Sequence, residues 1–240
     1  MGLSIVIPFY NEENNIRRVV DGLVDSFEQA SIDYELVLVN NGSIDKSPQI
    51  LEELSKQSPH RIKVVHVGVN QGYGWGIISG LKQVSGEFVG YMAGDGQIAP
   101  SAVVNVFDRI SKEGYDLVKV RRVVRNDGTI RKILSVSYNL LVKVIFNVDT
   151  MDVNGTPKIF KRELLEVFSP VSKDWFIDTE IMVKAKYLGL KVGEVPVEFL
   201  PRKEGKSHVR STTIWEFARN VLNYEFGRGV REWKRKTSKS

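Results

Sequence analysis

The chain of 240 residues contains no cysteine. This absence excludes disulfides, thiolate zinc sites and cysteine nucleophiles, and it fits a reducing compartment. The most apolar run, residues 140–146, is interrupted by Lys143 and is far shorter than the ~18 residues of a membrane-spanning helix. The N-terminus enters an apolar strand pattern directly, without the basic region of a signal peptide. We therefore expect a cytoplasmic protein that does not span a membrane by itself.

The chain has little excess charge of one sign except near the C-terminus. The net charge is only +5, whereas residues 228–240 hold six basic residues and one acidic residue. A local excess of this kind suits an anionic surface. We expect a basic tail that contacts the inner face of the membrane peripherally, and we do not expect a nucleic-acid partner.

The remaining composition, 42% hydrophobic and 26% charged, is that of a folded domain. Short apolar runs alternate with helical patterns over 12–29, 46–57 and 72–84; the runs predict strands at Ser4–Pro8, Tyr34–Val39, Arg61–Val67 and Glu87–Met92. The second half predicts further strands at Asp116–Val120, Thr156–Phe160 and Lys191–Val197, and helices at Ile130–Phe146 and Asp178–Leu188. This alternation predicts a mainly parallel sheet whose ligands bind beyond the carboxyl ends of the strands.

Each of the first four strands is followed by a polar, glycine-containing or asparagine-containing loop. The four loops are Phe-Tyr-Asn-Glu at 9–12, Asn-Asn-Gly-Ser-Ile-Asp at 40–45, Asn-Gln-Gly-Tyr-Gly at 70–74 and Ala-Gly-Asp-Gly-Gln at 93–97. In order and spacing they resemble glycosyltransferase family 2. The resemblance implies an α/β fold of the GT-A type, a Rossmann-like, mainly parallel sheet with helices on both faces, and a nucleotide-diphosphate sugar as donor.

The resemblance also implies roles for residues of the first two loops. Pro8, Tyr10 and Glu12 would line the nucleoside pocket, with Asn40 or Asn41 near the base. A sugar nucleotide needs hydrogen-bonding groups for the base, a carboxylate for the ribose diol and cationic or metal help at the diphosphate. Asn11, which follows Tyr10, has a purely structural alternative role as a helix N-cap.

The chain departs from the family pattern in two loops. The common Asp-Asp-Gly-Ser is replaced by Asn40-Asn41-Gly-Ser, and an amide donates as well as accepts, so the base preference can change. The usual Asp-x-Asp pair is reduced to Asp95, with Ala93 in the first position. Because Mg²⁺ often takes one or two carboxylates plus substrate phosphates, we expect Asp95, helped by Gln97, to hold Mg²⁺ or Mn²⁺ weakly and only with the donor bound.

The second half resembles the dolichyl-phosphate mannose synthase branch of polyprenyl-phosphate glycosyltransferases. The resemblance implies that Arg122, Arg131 and Ser135 bind the phosphate of a lipid acceptor, since arginine forks suit phosphate; the alternative for this region is a solvated basic face. Arg202, in an Arg-x-x-Gly-x-Ser sequence, would offset charge on the departing nucleotide.

A different acceptor is possible because Asp178 and Glu180 occupy the place of a catalytic acid in many family members. A sugar hydroxyl needs a general base, whereas a polyprenyl phosphate is already anionic. Asp178 can also be a helix N-cap. We expect an inverting transfer to a polyprenyl phosphate; the alternatives are a hydroxyl of a polysaccharide or glycolipid, and a non-catalytic relative that only binds the sugar nucleotide.

The resemblance extends over most of the chain. We expect one domain over residues 1–227, with a donor half at about 1–115 and an acceptor half at about 116–227. The basic tail, 228–240, would follow it.

Overall fold

A single seven-stranded sheet organises the fold. The computed structural model describes residues 2–125, 129–201, 219–221, 223–224 and 228–237. For 124–125, 129–134, 228–229 and 236 it describes the backbone alone. The strands are β1 Leu3–Phe9, β2 Tyr34–Asn41, β3 Ile62–Val67, β4 Phe88–Tyr91, β5 Leu117–Arg125, β6 Lys158–Lys161 and β7 Val192–Phe199. Their order is β3-β2-β1-β4-β6-β5-β7. Only β6 is antiparallel to its neighbours, β4 and β5. The predicted α/β fold with a mainly parallel sheet is confirmed.

Helices cover both faces of the sheet. They are α1 Ile16–Gln29, α2 Ser47–Gln57, α3 Tyr73–Leu81, α4 Pro100–Glu113, α5 Thr129–Phe146, α6 Leu164–Phe168, α7 Ile177–Tyr187 and α8 Arg228–Thr237. Alternate residues of β1 enter two cores: Ile5 packs with α1, α2 and α4, whereas Val6 packs with α3, α5 and α7. Because β1 and β2 are covered on both faces, their sequences are nearly continuous apolar runs.

Three helices, α4, α6 and α8, were not predicted from the sequence. The signal for α4 was present, because Pro100 occupies the first turn, where its missing N–H costs nothing. Ala102, Val103, Val106 and Ile110 then follow helical spacing and are buried. The α6 helix has only five residues, too few for a periodic pattern.

The segment expected to be a basic tail folds as α8 over residues 228–237. Its Val230 and Trp233 are buried, and Trp233 Nε1 donates a hydrogen bond to the Val167 carbonyl at 2.7 Å. The basic side chains of Arg231, Lys234 and Arg235 are exposed on the other side. The prediction of a separate tail is therefore corrected to a helix packed on the domain. In the described part of the chain, none of the helices is both long and apolar enough to cross a bilayer.

Candidate functional site

A cavity of about 230 Å³ lies at the carboxyl ends of β1, β2 and β4, the edge of the sheet that the sequence predicts for ligand binding. All four predicted loops contribute to its lining, together with Trp175 from the segment before α7. Of the predicted donor residues, those in the lining are Pro8, Tyr10, Glu12, Asn41 and Asp95. The fold thus brings together side chains that are up to 167 positions apart in the sequence, from Pro8 to Trp175.

The first two loops are joined by side-chain to backbone hydrogen bonds. Asn11 Oδ1 accepts the Ile44 N–H at 2.9 Å, and the Asn11 N–H donates to Ser43 Oγ at 3.1 Å. The Glu12 N–H donates to Ser47 Oγ at 3.1 Å. Asn11 has φ of 54° and lies well before the start of α1, so it is not the helix cap that its sequence context allowed. These bonds fix the loop that carries Tyr10 and Glu12.

The two asparagines after β2 have different roles. Asn40 is turned away from the cavity: its Oδ1 accepts the Ser43 N–H at 3.0 Å, and its Nδ2 lies 3.1 Å from His66 Nδ1. Asn41 lines the cavity and donates from Nδ2 to the Gly72 carbonyl at 3.0 Å. Its Oδ1 is buried and has no hydrogen-bond partner within the described residues. Of the two, the structure therefore places Asn41 where a base can be recognised.

The fourth loop presents one carboxylate to the cavity. Asp95 lies in the lining, and its Oδ1 accepts the Gln97 N–H at 3.1 Å. Gln97 is buried, and its Nε2 donates to the carbonyl of Leu200, the residue after β7, at 3.0 Å. No group of three or more acidic or histidine side chains lies together in the described part of the chain. One carboxylate beside an open cavity fits a cation whose other ligands come with a diphosphate.

Asp178, the predicted base, is buried beneath the cavity and does not line it. Its Oδ1 accepts hydrogen bonds from Lys158 Nζ at 2.6 Å and from the Tyr91 hydroxyl at 2.8 Å. Burial raises the pKa of Asp178 against the opposing effects of Lys158 and Tyr91, and burial lowers the pKa of Lys158 to about 8. Asp178 lies in the first turn of α7, and its carboxylate forms an ion pair in the core instead of a helix cap.

Glu180, two residues further along α7, is also fully buried. Its carboxylate accepts the backbone N–H groups of Val171 and Ser172 and pairs with Lys184. It does not line the cavity. The Glu180 carboxylate thus contacts the backbone of the segment before α7 and not the cavity.

Arg122, the described member of the predicted arginines, is paired with Asp152. Its Nε and Nη2 donate to Oδ2 and Oδ1 of Asp152 at 2.8 and 2.6 Å, and its guanidinium lies 5.2 Å from the Phe199 ring centroid. Burial alone would raise the pKa of Asp152, but the bonds and charge of Arg122 outweigh it and lower that pKa to about 2. No local sequence pattern indicated this pair, because the partners are 30 residues apart.

The structure describes the other predicted residues of the acceptor half only in part. Ser135 lies in α5, half-buried, and its carbonyl accepts a hydrogen bond from Asn139 Nδ2 at 2.8 Å. The side chain of Arg131 and the whole of Arg202 lie outside the described residues.

Two cavity residues were missed by the sequence reasoning. Tyr73 and Trp175 line the cavity and stack on each other, with ring centroids 4.4 Å apart and an interplanar angle of 20°. The available signals were the aromatic residue inside the third loop and the aromatic pair Trp175-Phe176 just before Asp178.

Comparison with known proteins gives one consistent family. Residues 4–168 match the family model described as glycosyl transferase family 2. The undecaprenyl-phosphate 4-deoxy-4-formamido-L-arabinose transferase of Photorhabdus laumondii is 28% identical over 205 residues, which are 85% of this chain and 62% of that protein. The transferase of the same name from Proteus mirabilis is 26% identical over 207 residues, 82% of this chain and 63% of that protein. The chain thus spans about three fifths of the length of these curated relatives.

The fold is also shared with solved structures. Glucosyl-3-phosphoglycerate synthase from Mycobacterium tuberculosis, crystallised with Mn²⁺, uridine diphosphate and phosphoglyceric acid, superposes with a TM-score of 0.71 at 21% identity. The match covers 92% of this chain and 76% of that one. At this identity, the likeness establishes the shared fold.

Proposed function

Because the chain belongs to glycosyl transferase family 2, we propose that it is an inverting glycosyltransferase that moves a sugar from a nucleotide-diphosphate sugar to a polyprenyl phosphate. The observation that carries the proposal is the cavity itself, which gathers Tyr10, Glu12, Asn41 and Asp95 from three strand ends. These are the residue types that a base, a ribose diol and a diphosphate require. Inversion is proposed from the family resemblance.

The base of the donor is proposed to carry a ring N–H, as uracil, thymine and guanine do. Asn41 Nδ2 is held by the Gly72 carbonyl, so the orientation of the amide leaves Oδ1 as an acceptor. A buried acceptor without a partner costs ~1–3 kcal/mol, which a donor group arriving with the ligand would recover. Cytosine has an acceptor at the corresponding ring nitrogen and would leave Oδ1 unsatisfied.

Asp95 is proposed to hold Mg²⁺ or Mn²⁺ together with the donor diphosphate. When bound, the cation supplies positive charge that stabilises the departing diphosphate. Arg202 is proposed to add to that charge. Gln97 is proposed to help Asp95 through its Oε1, since the bond to the Leu200 carbonyl uses only Nε2.

The acceptor is proposed to be a phosphate because the two predicted bases, Asp178 and Glu180, are both buried in ion pairs and do not line the cavity. A phosphate oxygen is anionic already, so it can attack the anomeric carbon while the bond from that carbon to the nucleotide diphosphate breaks. The relatives named as undecaprenyl-phosphate transferases support the same acceptor class.

Arg122, Arg131 and Ser135 are proposed to bind the acceptor phosphate. Asp152 supports this role for Arg122, since a guanidinium held at Nε and Nη2 loses little freedom on binding an anion. The exposed basic side chains of α8, Arg231, Lys234 and Arg235, are proposed to contact an anionic leaflet, each contributing ~1 kcal/mol near the surface.

The donor half of the proposal is tested by thermal shift with uridine, guanosine, thymidine and cytidine diphosphates, each with and without Mn²⁺. We expect stabilisation by one of the first three, larger with Mn²⁺, because a ligand that binds only the folded state raises the melting temperature. Stabilisation by cytidine diphosphate alone would contradict the role of Asn41. No stabilisation by any of the four would contradict the donor class.

A further inference from the structure

The segment 171–175 belongs to the acceptor half in sequence but closes the donor cavity in space. It precedes α7, and its last residue, Trp175, lines a cavity whose other lining residues all lie within the first 95 positions. The placement of Trp175 therefore depends on how this segment is held against the donor half.

Glu180 holds the segment from the α7 side. Both carboxylate oxygens lie 3.1 Å from the Val171 backbone nitrogen, which donates to them, and Oε2 also accepts the Ser172 N–H at 2.8 Å. Lys184 Nζ pairs with Oε1 at 2.5 Å, and both side chains are buried. A carboxylate that accepts several hydrogen bonds in the core fixes the backbone it contacts.

The third loop holds the segment from the other side. The Trp75 N–H donates to the Lys173 carbonyl at 3.0 Å. The backbones approach so closely that a Cβ on Gly74 would lie 2.2 Å from the Ser172 carbonyl oxygen, so this position requires glycine. Lys173 Nζ also donates to Gln71 Oε1 at 2.8 Å. The segment is thus fixed between α7 and the loop that carries Tyr73.

Trp175 stacks on Tyr73, and the Tyr73 hydroxyl bonds to Thr156. Burial raises the pKa of Tyr73 well above its usual value, and the carboxylates of Asp178 and Asp95 are near enough to raise it further. The stacked pair therefore lies near Asp95. The sugar of a nucleotide-diphosphate sugar is joined to the phosphate farthest from the base, so it belongs beside Asp95.

We infer that Trp175, stacked on Tyr73 and positioned by Glu180, contacts the ring of the donor sugar and selects which sugar is accepted. The inference rests on the proposed function, because it takes the cavity to hold a nucleotide-diphosphate sugar. A sugar ring has a face of C–H groups that packs on an aromatic side chain, and large aromatic residues give binding sites much of their apolar contact. Substituents projecting from that face are excluded by the ring, which makes Trp175 a specificity-determining residue.

The experiment is calorimetric titration with uridine diphosphate and with four of its sugars: glucose, galactose, N-acetylglucosamine and glucuronate. The best-bound sugar conjugate is then carried through the variants. In Trp175→Ala we expect its affinity to fall about five- to tenfold while that of uridine diphosphate stays within about twofold, as expected for a lost aromatic contact to the sugar alone. Trp175→Phe should restore most of the loss.

The matched control is Trp75→Phe, since Trp75 is half-buried in α3 and does not line the cavity. Quenching of tryptophan fluorescence by the sugar conjugate should persist in Trp75→Phe and disappear in Trp175→Phe. Equal loss of affinity for uridine diphosphate and its sugar conjugate in Trp175→Ala would place the ring under the base and overturn the inference, as would no loss at all. If the wild-type protein binds neither uridine diphosphate nor its sugars, the same titrations are made with guanosine and thymidine diphosphates and their sugars; binding of none of them would overturn the proposed function, and the inference with it.

Glu180→Gln separates positioning from catalysis. We expect the same selective loss of affinity for the sugar conjugate as in Trp175→Ala, with kcat at saturating donor close to that of the wild type. A collapse of kcat with both affinities intact would identify Glu180 as a general base and overturn its positioning role.

Discussion

The donor cavity and the core of the acceptor half use polar residues in opposite ways. Around the cavity, the loops are held by hydrogen bonds between side chains and backbone, such as Asn11 to Ile44, and the carboxylate of Asp95 stays in the lining. In the acceptor half, the acids of the conspicuous motif around α7 are paired with lysines in the core: Asp178 with Lys158, and Glu180 with Lys184.

This difference separates residues that can act on a ligand from residues that support the fold. A buried ion pair is costly to break, because the remaining partner is left as an uncompensated charge. An acid or base that is already paired in the core is therefore a poor candidate for chemistry, whatever its place in a motif. The contrast predicts large stability effects in the acceptor half and activity effects without stability loss at the cavity.

The largest effect is expected for Lys158→Met. Removing the ammonium leaves Asp178 buried without its cation, which should lower the free energy of unfolding by ~3–5 kcal/mol. Lys161→Met is the control in the same strand, since Lys161 and its partner Asp116 are partly exposed and their pair is worth at most ~1 kcal/mol. Urea denaturation of both variants measures the difference; equal losses would show that burial of the first pair does not matter.

Arg122→Ala should lower the free energy of unfolding by ~3 kcal/mol for the same reason, and it should also change the acid limb of the stability profile. The pKa of Asp152, lowered to about 2, lies below its unfolded value, so its contribution is complete above pH ~4 and is lost as the pH falls toward 2. Denaturation between pH 2 and 6 should show a shallower acid loss in the variant. Arg121→Ala, at the more exposed neighbouring position, is the control and should follow the wild type; a parallel response of both variants would contradict the Asp152 assignment.

Asp95→Asn should act on turnover and not on stability. We expect kcat/KM to fall at least about tenfold with an unchanged melting temperature, because the one carboxylate that the fourth loop presents to the cavity is lost. Asp108→Asn, on the exposed face of α4, should leave both quantities unchanged. Full activity of Asp95→Asn at saturating donor would end the proposed cation role.

The smallest effect is expected for Ala93→Asp, which restores a second carboxylate beside Asp95. Calorimetry in the presence of nucleoside diphosphate should show Mn²⁺ binding tightened by several-fold, about 1 kcal/mol. The same titration without nucleotide should show a smaller gain. Unchanged binding in both titrations would mean that residue 93 does not face the cation.

The sequence predicted the donor half better than the acceptor half. Strand ends in a parallel sheet converge on one edge, so loops containing Tyr10, Asn41 and Asp95 could be assigned to one cavity before any coordinates. The pairing of Asp178 with Lys158 could not be predicted, because it depends on β6 running antiparallel beside β4. The sequence also left open whether Asn40 or Asn41 lies near the base, since only the folded turn shows that Asn40 bonds to Ser43.

Formation of a lipid-linked sugar by Asp178→Asn tests the central claim most directly. Purified wild type and variant are incubated with a short-chain polyprenyl phosphate, Mn²⁺ and the nucleotide-diphosphate sugar identified by calorimetry, and the lipid product is measured by mass spectrometry. The account predicts a polyprenyl-phosphate sugar from both proteins, with the rate of the variant within about an order of magnitude of the wild type after correction for folded fraction, because a phosphate nucleophile needs no base. Loss of the product in a folded Asp178→Asn, or transfer by the wild type to a sugar hydroxyl and not to the lipid phosphate, would contradict it.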